Sequence, residues 1–397
     1  MPWRVASVME ERIKFIVQAM SGGINFSGLC EEFGVSRSTG YRWLHRYKDC
    51  GSIFEVKELS RRPHYSPTRT AAEHEDRVRV LRIAHGWGAK KLQVLLAREG
   101  INLKVITINR ILKRLDLIES LANHYSALKR FERSSPNELW QMDFKGYYSI
   151  LSGRCYPLSI LDDHSRFIVG LYALNDEKGE SVNDCLVRTF ERHGLPEAIL
   201  TDHGTPWWSC TNGYGLTWLA INLIKQGISL YKSGVRHPQT QGKVERFHRT
   251  LKDSISHVGK VNNCGNPKTI LEWEKAIEHF CQEYNYERPH EALGMAVPAD
   301  RYKPSPRQYS VNPRAWEYPE GAIVKRLNSQ GCLDYNGGRY FVCEALANEY
   351  VQIERVENSL LAKYRHMYVR EIFIETGRSA PLILPVSINR SVADVMI

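Results

Sequence analysis

Leu139-Trp140-Gln141-Met142-Asp143-Phe144 is the stretch at which the periodicity of the chain changes. Before it, apolar residues recur every three or four positions, as on helix faces; after it they alternate or run in short blocks, as in strands. Residues 140–149, 156–161 and 166–173 read as three consecutive strands, the last two joined by Asp162-Asp163-His164-Ser165. Two adjacent acids in such a turn are more often turn formers than catalysts. A helix over 180–193 follows, then the apolar strand Ala198-Ile199-Leu200-Thr201 ending at Asp202. A helix over 216–225, a strand over 228–232 and a helix carrying Glu245 come next. A last helix over 270–286 ends at Arg288-Pro289, because proline cannot continue it. Antiparallel opening strands followed by helical crossovers predict a mixed sheet of α/β type.

Upstream, residues 1–50 read as a helix-turn-helix. Ile13, Ile16, Val17 and Met20 form one stripe, and Phe26, Leu29, Cys30 and Phe33 a second. Gly34-Val35-Ser36 breaks the chain, with Ser36 placed to cap a third helix. That helix has Gly40, Trp43, Leu44 and Tyr47 on one face and Arg37, Ser38, Tyr41, Arg42 and His45 on the other. An apolar back with a basic, hydroxyl-bearing front suits a major groove; a plain three-helix bundle is the bland alternative. Residues 51–72 are polar and proline-punctuated and read as a linker. Residues 73–125 repeat the helical pattern, with Val78, Leu81, Ile83, Leu92, Leu95, Leu96, Ile108, Ile111, Leu112 and Leu115 inward. Lys90, Lys91, Arg110 and Lys113 then point outward as candidate phosphate contacts; packing of this unit against the catalytic domain competes with that reading.

Downstream, residues 288–314 read as a proline-rich connector, and short alternating segments at 323–327, 339–342, 350–356 and 368–374 follow. Asn336-Gly337 is a hairpin turn signal. These strands predict a small β-barrel over residues 320–376.

Composition narrows the function. A chain of 397 residues exceeds one ordinary core. It has no run of about 18 apolar residues for a membrane span and no signal-peptide core at its start. Its nine cysteines form no Cys-x-x-Cys, which fits a reducing cytosol rather than a disulfide framework or a structural zinc. The net charge of +10 lies wholly in residues 1–135, which hold 24 Lys+Arg against 14 Asp+Glu. A localised positive excess is the footprint of a nucleic-acid partner.

Asp143, Asp202 and Glu245 give that partner a chemistry. Phosphodiester transfer needs charge stabilisation at the attacking and leaving oxygens, which two Mg²⁺ (or Mn²⁺) ions about 3.5–4 Å apart supply. Mg²⁺ takes hard oxygen ligands and keeps waters, so three carboxylates suffice. Val244, Phe247, His248 and Leu251 are spaced to face a core, leaving Glu245 and Arg249 on the adjacent face. Taken alone, Glu245 reads as the partner of Arg249 on a salt-bridged surface helix. The preceding His237-Pro238-Gln239-Thr240-Gln241-Gly242 offers donors and backbone amides at the helix entrance and tips the reading toward a site.

These strings resemble the integrase core of the transposase and retroviral integrase superfamily, closest to bacterial insertion-sequence transposases. The resemblance rests on Trp140-Gln141-Met142-Asp143-Phe144, Leu161-Asp162-Asp163-His164-Ser165-Arg166, Thr201-Asp202-His203-Gly204, the run from His237 through Glu245 to Lys252, and Tyr284-Asn285 with Arg288-Pro289-His290 and Leu293. It covers roughly residues 10 to 305 and implies a ribonuclease H-like core at 135–305. By position, Asp143, Asp202 and Glu245 match the family's catalytic, metal-binding acids. His203 stands where relatives usually have asparagine. The spacing from Asp202 to Glu245 is about seven residues longer than the commonest, cheap in a surface connection, with the surplus expected in residues 209–215.

The resemblance implies a DNA transposase that binds terminal inverted repeats, cleaves the 3′ ends and joins them to target DNA. It implies a homodimer or higher assembly on double-stranded DNA, no membrane, and a bacterial cytoplasmic, nucleoid-associated location. Expected DNA contacts are Arg37, Ser38, Arg42, Lys90, Lys91, Arg110, Lys113, His237, Gln241, Lys243, Arg246, Arg249 and Lys252. The alternatives are an inactive DNA-binding regulator and a metal-dependent nuclease that does not join.

Overall fold

The computed structural model describes residues 8–23, 25–52, 69–118, 132–202, 204–209, 215–233 and 242–385. The chain divides into two compact units, Met1–Thr70 and Ala71–Ile397.

The first unit is three helices, α1 (Val8–Met20), α2 (Phe26–Glu32) and α3 (Arg37–Cys50). Ser36 caps α3 as expected, its hydroxyl accepting the Thr39 N–H at 3.2 Å, and Asn25 caps α2 in the same way. Phe15, Ile16, Leu29, Cys30 and Trp43 are buried together. One expectation fails: Val17 and Met20 are 48% and 52% exposed. Phe15 displaces them, because its ring meets Phe26 and Phe33 edge-on and turns α1 toward those aromatics.

The second unit opens with α4 (Ala72–His85), α5 (Ala89–Arg98) and α6 (Val105–Arg114). Val78, Leu81, Leu92, Leu96, Ile108, Ile111 and Leu112 form their core, whereas Ile83 is 43% exposed. This trio lies on the larger domain that follows. His85 Nδ1 is 2.7 Å from Glu283 Oε1, and His257 Nε2 is 2.8 Å from the Ile83 carbonyl.

The larger domain is built on β1 (Trp140–Phe144), β2 (Tyr148–Ile150), β3 (Gly153–Asp162), β4 (Ile168–Leu174), α7 (Gly179–His193), β5 (Ala198–Thr201), α8 (Trp218–Lys225), β6 (Ser229–Lys232), α9 (Gly242–Val261) and α10 (Ile270–Gln282). β1 pairs antiparallel with β3 and parallel with β5, which pairs parallel with β6. β4 takes the far edge of β3, and β2 continues along β3 beyond β1. The sheet is therefore mixed, as the sequence predicts. Trp140 and Met142 face one side, buried with residues of α7 and α8. On the other side Leu161, Ile168 and Leu171 meet Val244, Phe247 and Leu251 of α9 and Trp273, Ile277 and Phe280 of α10. The predicted last helix stops at Gln282 and widens into a π-helical turn, Glu283–Glu287, before Arg288-Pro289.

The C-terminal part departs from the expected barrel. β7 (Ile323–Arg326), β8 (Cys332–Tyr335), β9 (Gly338–Phe341), β10 (Tyr350–Val356), β11 (Ser359–Tyr364), β12 (Met367–Phe373) and β13 (Ser379–Pro385) are present. Their pairing among the described residues is open, in the order β13-β12-β11-β10-β7, with β8-β9 a separate hairpin. Asn336-Gly337 turns that hairpin with both φ positive, as its sequence signals. The sheet does not close on itself because its apolar face is already covered. Leu333, Val342 and Leu346 share a buried cluster with Val351, Leu360 and Ile372, and Arg370 donates to the Val342 carbonyl at 2.7 Å. Cys343, beside the hairpin, packs against the Leu216 carbonyl ahead of α8. No helix among the described residues is long and apolar enough to cross a membrane.

Gly40 gives the fold a sharp test. A Cβ there would stand 2.8 Å from Cys30 Sγ and 2.9 Å from Phe15 Cζ. Gly40→Ala should cost about 1–3 kcal/mol through overpacking. Native-state hydrogen exchange of α1–α3 amides should show that loss, with β1–β6 protection unchanged; equal exchange in α1–α3 would contradict the packing described.

Candidate active site

The sheet register brings the first two acids together. Trp140 pairs with Ile199 and Gln141 with Leu200 across the parallel β1–β5 ladder. Continued two residues, that register sets Asp143 opposite Asp202, on strands about 4.8 Å apart and on one face of the sheet. Asp202 follows β5, and its carbonyl accepts the Trp208 indole N–H at 2.7 Å. Its Oδ1 accepts the Gly204 N–H at 3.2 Å. A Cβ on Gly204 would come 3.2 Å from Asp202 Oδ2, so a larger residue there would have to push that carboxylate aside.

α9 brings the third acid across the same face. Val244, Phe247, His248 and Leu251 are buried, as their spacing predicts, and Glu245 is exposed on the flank. His248 Nδ1 lies 3.8 Å from Asp143 Oδ2 and its Nε2 is 2.7 Å from Ser159 Oγ. Ser159 is the antiparallel partner of Asp143, and its hydroxyl donates to the Asp143 carbonyl at 2.9 Å. Burial holds His248 neutral, its pKa down at about 3.

The acids feel one another. Burial first, then the negative charge of Asp202 and that of Glu245, push the Asp143 carboxyl up to about 7, against the opposing pull of the Phe144 backbone N–H and Lys145. A fourth carboxylate joins them: Glu177, ahead of α7, is raised by burial and then by Asp202. Among the described residues no three His, Cys, Asp or Glu side chains already stand at ligating geometry for a metal. The acids thus lie within Coulombic reach but short of coordinating geometry. Hard oxygen donors with unrelieved mutual repulsion are the donor set a small divalent cation fits.

The expected cations divide into three groups. Arg37, Ser38 and Arg42 on α3, Arg110 and Lys113 on α6, and Arg246, Arg249 and Lys252 on α9 are exposed. Lys90 is exposed but paired with Glu291 at 3.1 Å. Lys91 and Lys243 turn inward. Burial, then the like charge of Arg288, lowers Lys91 to about 7. Lys243 Nζ sits 2.5 Å from Asp163 Oδ1, and burial lowers it to about 8 against the raising effect of that carboxylate. His203, His237 and Gln241 lie outside the described residues.

Asp162 and Asp163 do form the turn, with the Arg166 N–H donating to the Asp162 carbonyl at 3.0 Å, but they are buried rather than exposed turn residues. Asp162 accepts the Asn137 and Ser165 N–H groups, each at 2.7 Å. Glu177 and Ser159 had no local signal for their positions, and the spacing turned His248 inward without placing it beside Asp143; sheet register and helix docking bring them in. The lengthened connection leaves the body at one point: the Ser209 N–H donates to the Gly215 carbonyl at 2.9 Å, and Trp208 bridges Leu216. Residues 210–214 lie outside the described set.

Comparison with known proteins gives the same class. Family models described as integrase core domain match residues 133–226 and 226–298, and homeodomain-like domain models match 7–53 and 39–112. The transposase for transposon Tn552 of Staphylococcus aureus is 26% identical over 292 residues, 66% of this chain and 57% of that protein. Insertion element IS600 of Shigella sonnei encodes an uncharacterized 31 kDa protein 25% identical over 68% of this chain and 96% of its own length. The IS407 31.7 kDa protein of Burkholderia multivorans is 23% identical, over 57% of this chain and 82% of its own length. The HTLV-2 integrase catalytic core, solved in complex with magnesium, aligns with 43% of this chain at 16% identity and a TM-score of 0.34. Residues 133–298 are an integrase core. Over residues 133–298 the chain matches integrase core models, and it is similar to transposon and insertion-element proteins, one of them named a transposase.

The buried charge of Asp143 has a measurable signature. Its pKa is raised in the fold, so its contribution to stability is full below the unfolded value near 4 and lost as pH rises through about 7. Asp143→Asn carries no charge to bury. Without divalent metal, the variant should gain on the wild type by on the order of a few kcal/mol as pH climbs through that window. Parallel unfolding curves for the two proteins across the window would refute the buried-charge account.

Proposed function

We propose that this chain is a DNA transposase whose site is Asp143, Asp202 and Glu245. The observation that carries the reading is the parallel register that sets Asp143 opposite Asp202, with α9 laid across both. Asp143, Asp202 and Glu245 are the residues that would hold Mg²⁺ or Mn²⁺, two ions in the fullest form of this reading. Such cations, when bound, would supply charge stabilisation to the attacking and leaving oxygens.

In the first step a water oxygen attacks the phosphorus at the element's end. The bond to the 3′ oxygen breaks, leaving a 3′-hydroxyl on the element and a 5′-phosphate on the flank. In the second step that hydroxyl attacks a target phosphorus and displaces the target's own 3′ oxygen. Arg246, Arg249 and Lys252 lie on the exposed side of the helix that carries Glu245, where they meet the phosphates of the bound strand. The exposed basic front of α3 enters the major groove of the terminal repeat through Arg37, Ser38 and Arg42, and α6 adds Arg110 and Lys113. Residues 1–50 and 73–125 then act as end-binding domains, 51–72 as a linker between them, and 135–305 as the catalytic domain. Two ends have to meet, so the working form is a homodimer or larger on DNA, in the bacterial cytoplasm and nucleoid.

Glu245→Gln should abolish joining of labelled element ends in Mg²⁺ while leaving end binding intact. Joining that survives the substitution sinks the catalytic assignment, and cleavage without joining in the wild type makes the protein a nuclease. End binding should weaken steeply with salt, since each neutralised phosphate releases counterions; a flat response would remove the basic surfaces from the DNA contact.

A further inference from the structure

Glu245 is exposed on the first turn of α9, and among the described residues it makes no ion pair. Its placement therefore depends on how that turn is held. Two polar links bracket it. Two residues before Glu245, Lys243 Nζ meets Asp163 Oδ1 at 2.5 Å. The Asp163 side chain is fully buried and also accepts Gln141 Nε2 at 2.6 Å and the Arg133 N–H at 2.9 Å. Gln141 is on β1, two residues before Asp143, and the Asp163 N–H donates to the Leu139 carbonyl at 2.9 Å. Three residues after Glu245, His248 meets Ser159, which donates to the Asp143 carbonyl. Both routes leave α9 on either side of one carboxylate and end on β1 within two residues of the other.

We infer that Lys243 and Asp163 are positioning residues for Glu245, fixing the entry turn of α9 on β1 while the His248–Ser159 contact fixes the turn after it. The inference rests on the transposase reading above. Lys243 is turned to this role: its side chain is 18% exposed, and its ammonium meets the buried Asp163 carboxylate at 2.5 Å, against 4.0 Å for Arg166 Nη1. Displacing a catalytic group by about 1 Å costs on the order of 100-fold in rate, so the effect belongs to the chemical step and not to DNA affinity.

The test is a double-mutant cycle of Lys243→Met and Asp163→Asn in the full chain, with Lys243→Arg and Glu245→Gln beside it. End binding and single-turnover end cleavage are measured across a Mg²⁺ titration. Each single variant should bind ends like the wild type, cleave on the order of 100-fold more slowly, and need more Mg²⁺ for half-maximal rate. The double variant should be no slower than the worse single one, because both changes break one link. Lys243→Arg, which keeps the ion pair, should recover most of the rate. If Lys243→Met does not fold, the double variant, which leaves no lone buried charge, carries the same expectation. Two results overturn the inference: Lys243→Met that weakens end binding and cleaves normally at saturating DNA, making Lys243 a phosphate contact, or effects that add in the cycle. A wild type that joins ends, a dead Glu245→Gln and a fully active Lys243→Met would remove the positioning role alone. A wild type that does not join ends would remove the transposase reading and this inference with it.

Discussion

The double pairing of β1 is the constraint on which the rest depends. Its antiparallel edge fixes Ser159 opposite Asp143, and its parallel edge, continued past β5, fixes Asp202 there. A slip of β1 by one residue would turn Asp143 to the α7–α8 side and carry Trp140 and Met142 out of it. The apolar pattern of β1 therefore selects the register that assembles the acids. Trp140 and Met142 are buried on one side, so Gln141 and Asp143 must emerge on the other. Core packing and site geometry are one decision made by one five-residue strand.

That arrangement works against local stability. A largely buried carboxyl in a sheet, flanked by two further negative charges, is poorly placed unless something positive joins it. The surrounding fold has to over-determine its position. It does so with apolar contact on both faces: the α7–α8 layer behind, and in front the α9–α10 layer, where Phe247, Leu251, Trp273 and Phe280 interlock. The same helix periodicity that buries Val244, Phe247 and Leu251 leaves Glu245, Arg246 and Arg249 outward. Mutually repelling acids and exposed cations thus sit side by side, each kept in place by neighbouring apolar burial.

What was legible in the sequence follows from this. Periodicity reports which face of an element is apolar, so the mixed character of the sheet, the Ser36 cap, the Asn336-Gly337 turn and the buried face of α9 could be read, whereas the expected strand over 140–149 is split into β1 and β2. It does not report what a polar residue meets. Lys243 and Lys91 read as outward cations, yet one pairs with Asp163 and the other packs near Arg288, on partners distant in sequence. Glu177, three residues past the end of β4, feels Asp202, a residue distant in sequence. Val17 and Met20 lost their expected burial to Phe15, whose aromatic partners lie on the next helix. The barrel failed for a related reason. Alternation identifies strands with an apolar face, but whether that face is covered by the same sheet or by a hairpin and a neighbouring helix depends on contacts the pattern does not carry.

The α4–α6 trio shows how such non-local contacts divide labour. Its own core is apolar and complete, built from Leu92, Leu96, Ile108 and Ile111. Its junction with α9 and the turn after α10 is polar: His85 with Glu283, His257 with the Ile83 carbonyl, Lys90 with Glu291, Arg98 with the Glu287 carbonyl. Two of the four expected basic contacts, Lys90 and Lys91, are spent at this junction. Arg110 and Lys113, on α6, are not, and α6 itself is held by α4 through the 2.6 Å Arg114–Glu75 pair. Ile106, in the first turn of α6, is 64% exposed, a surface left outside both cores. Docking through α4 and α5 therefore keeps the basic side of α6 open, and the two readings of this unit, packing on the catalytic domain and facing DNA, are compatible because they use different helices.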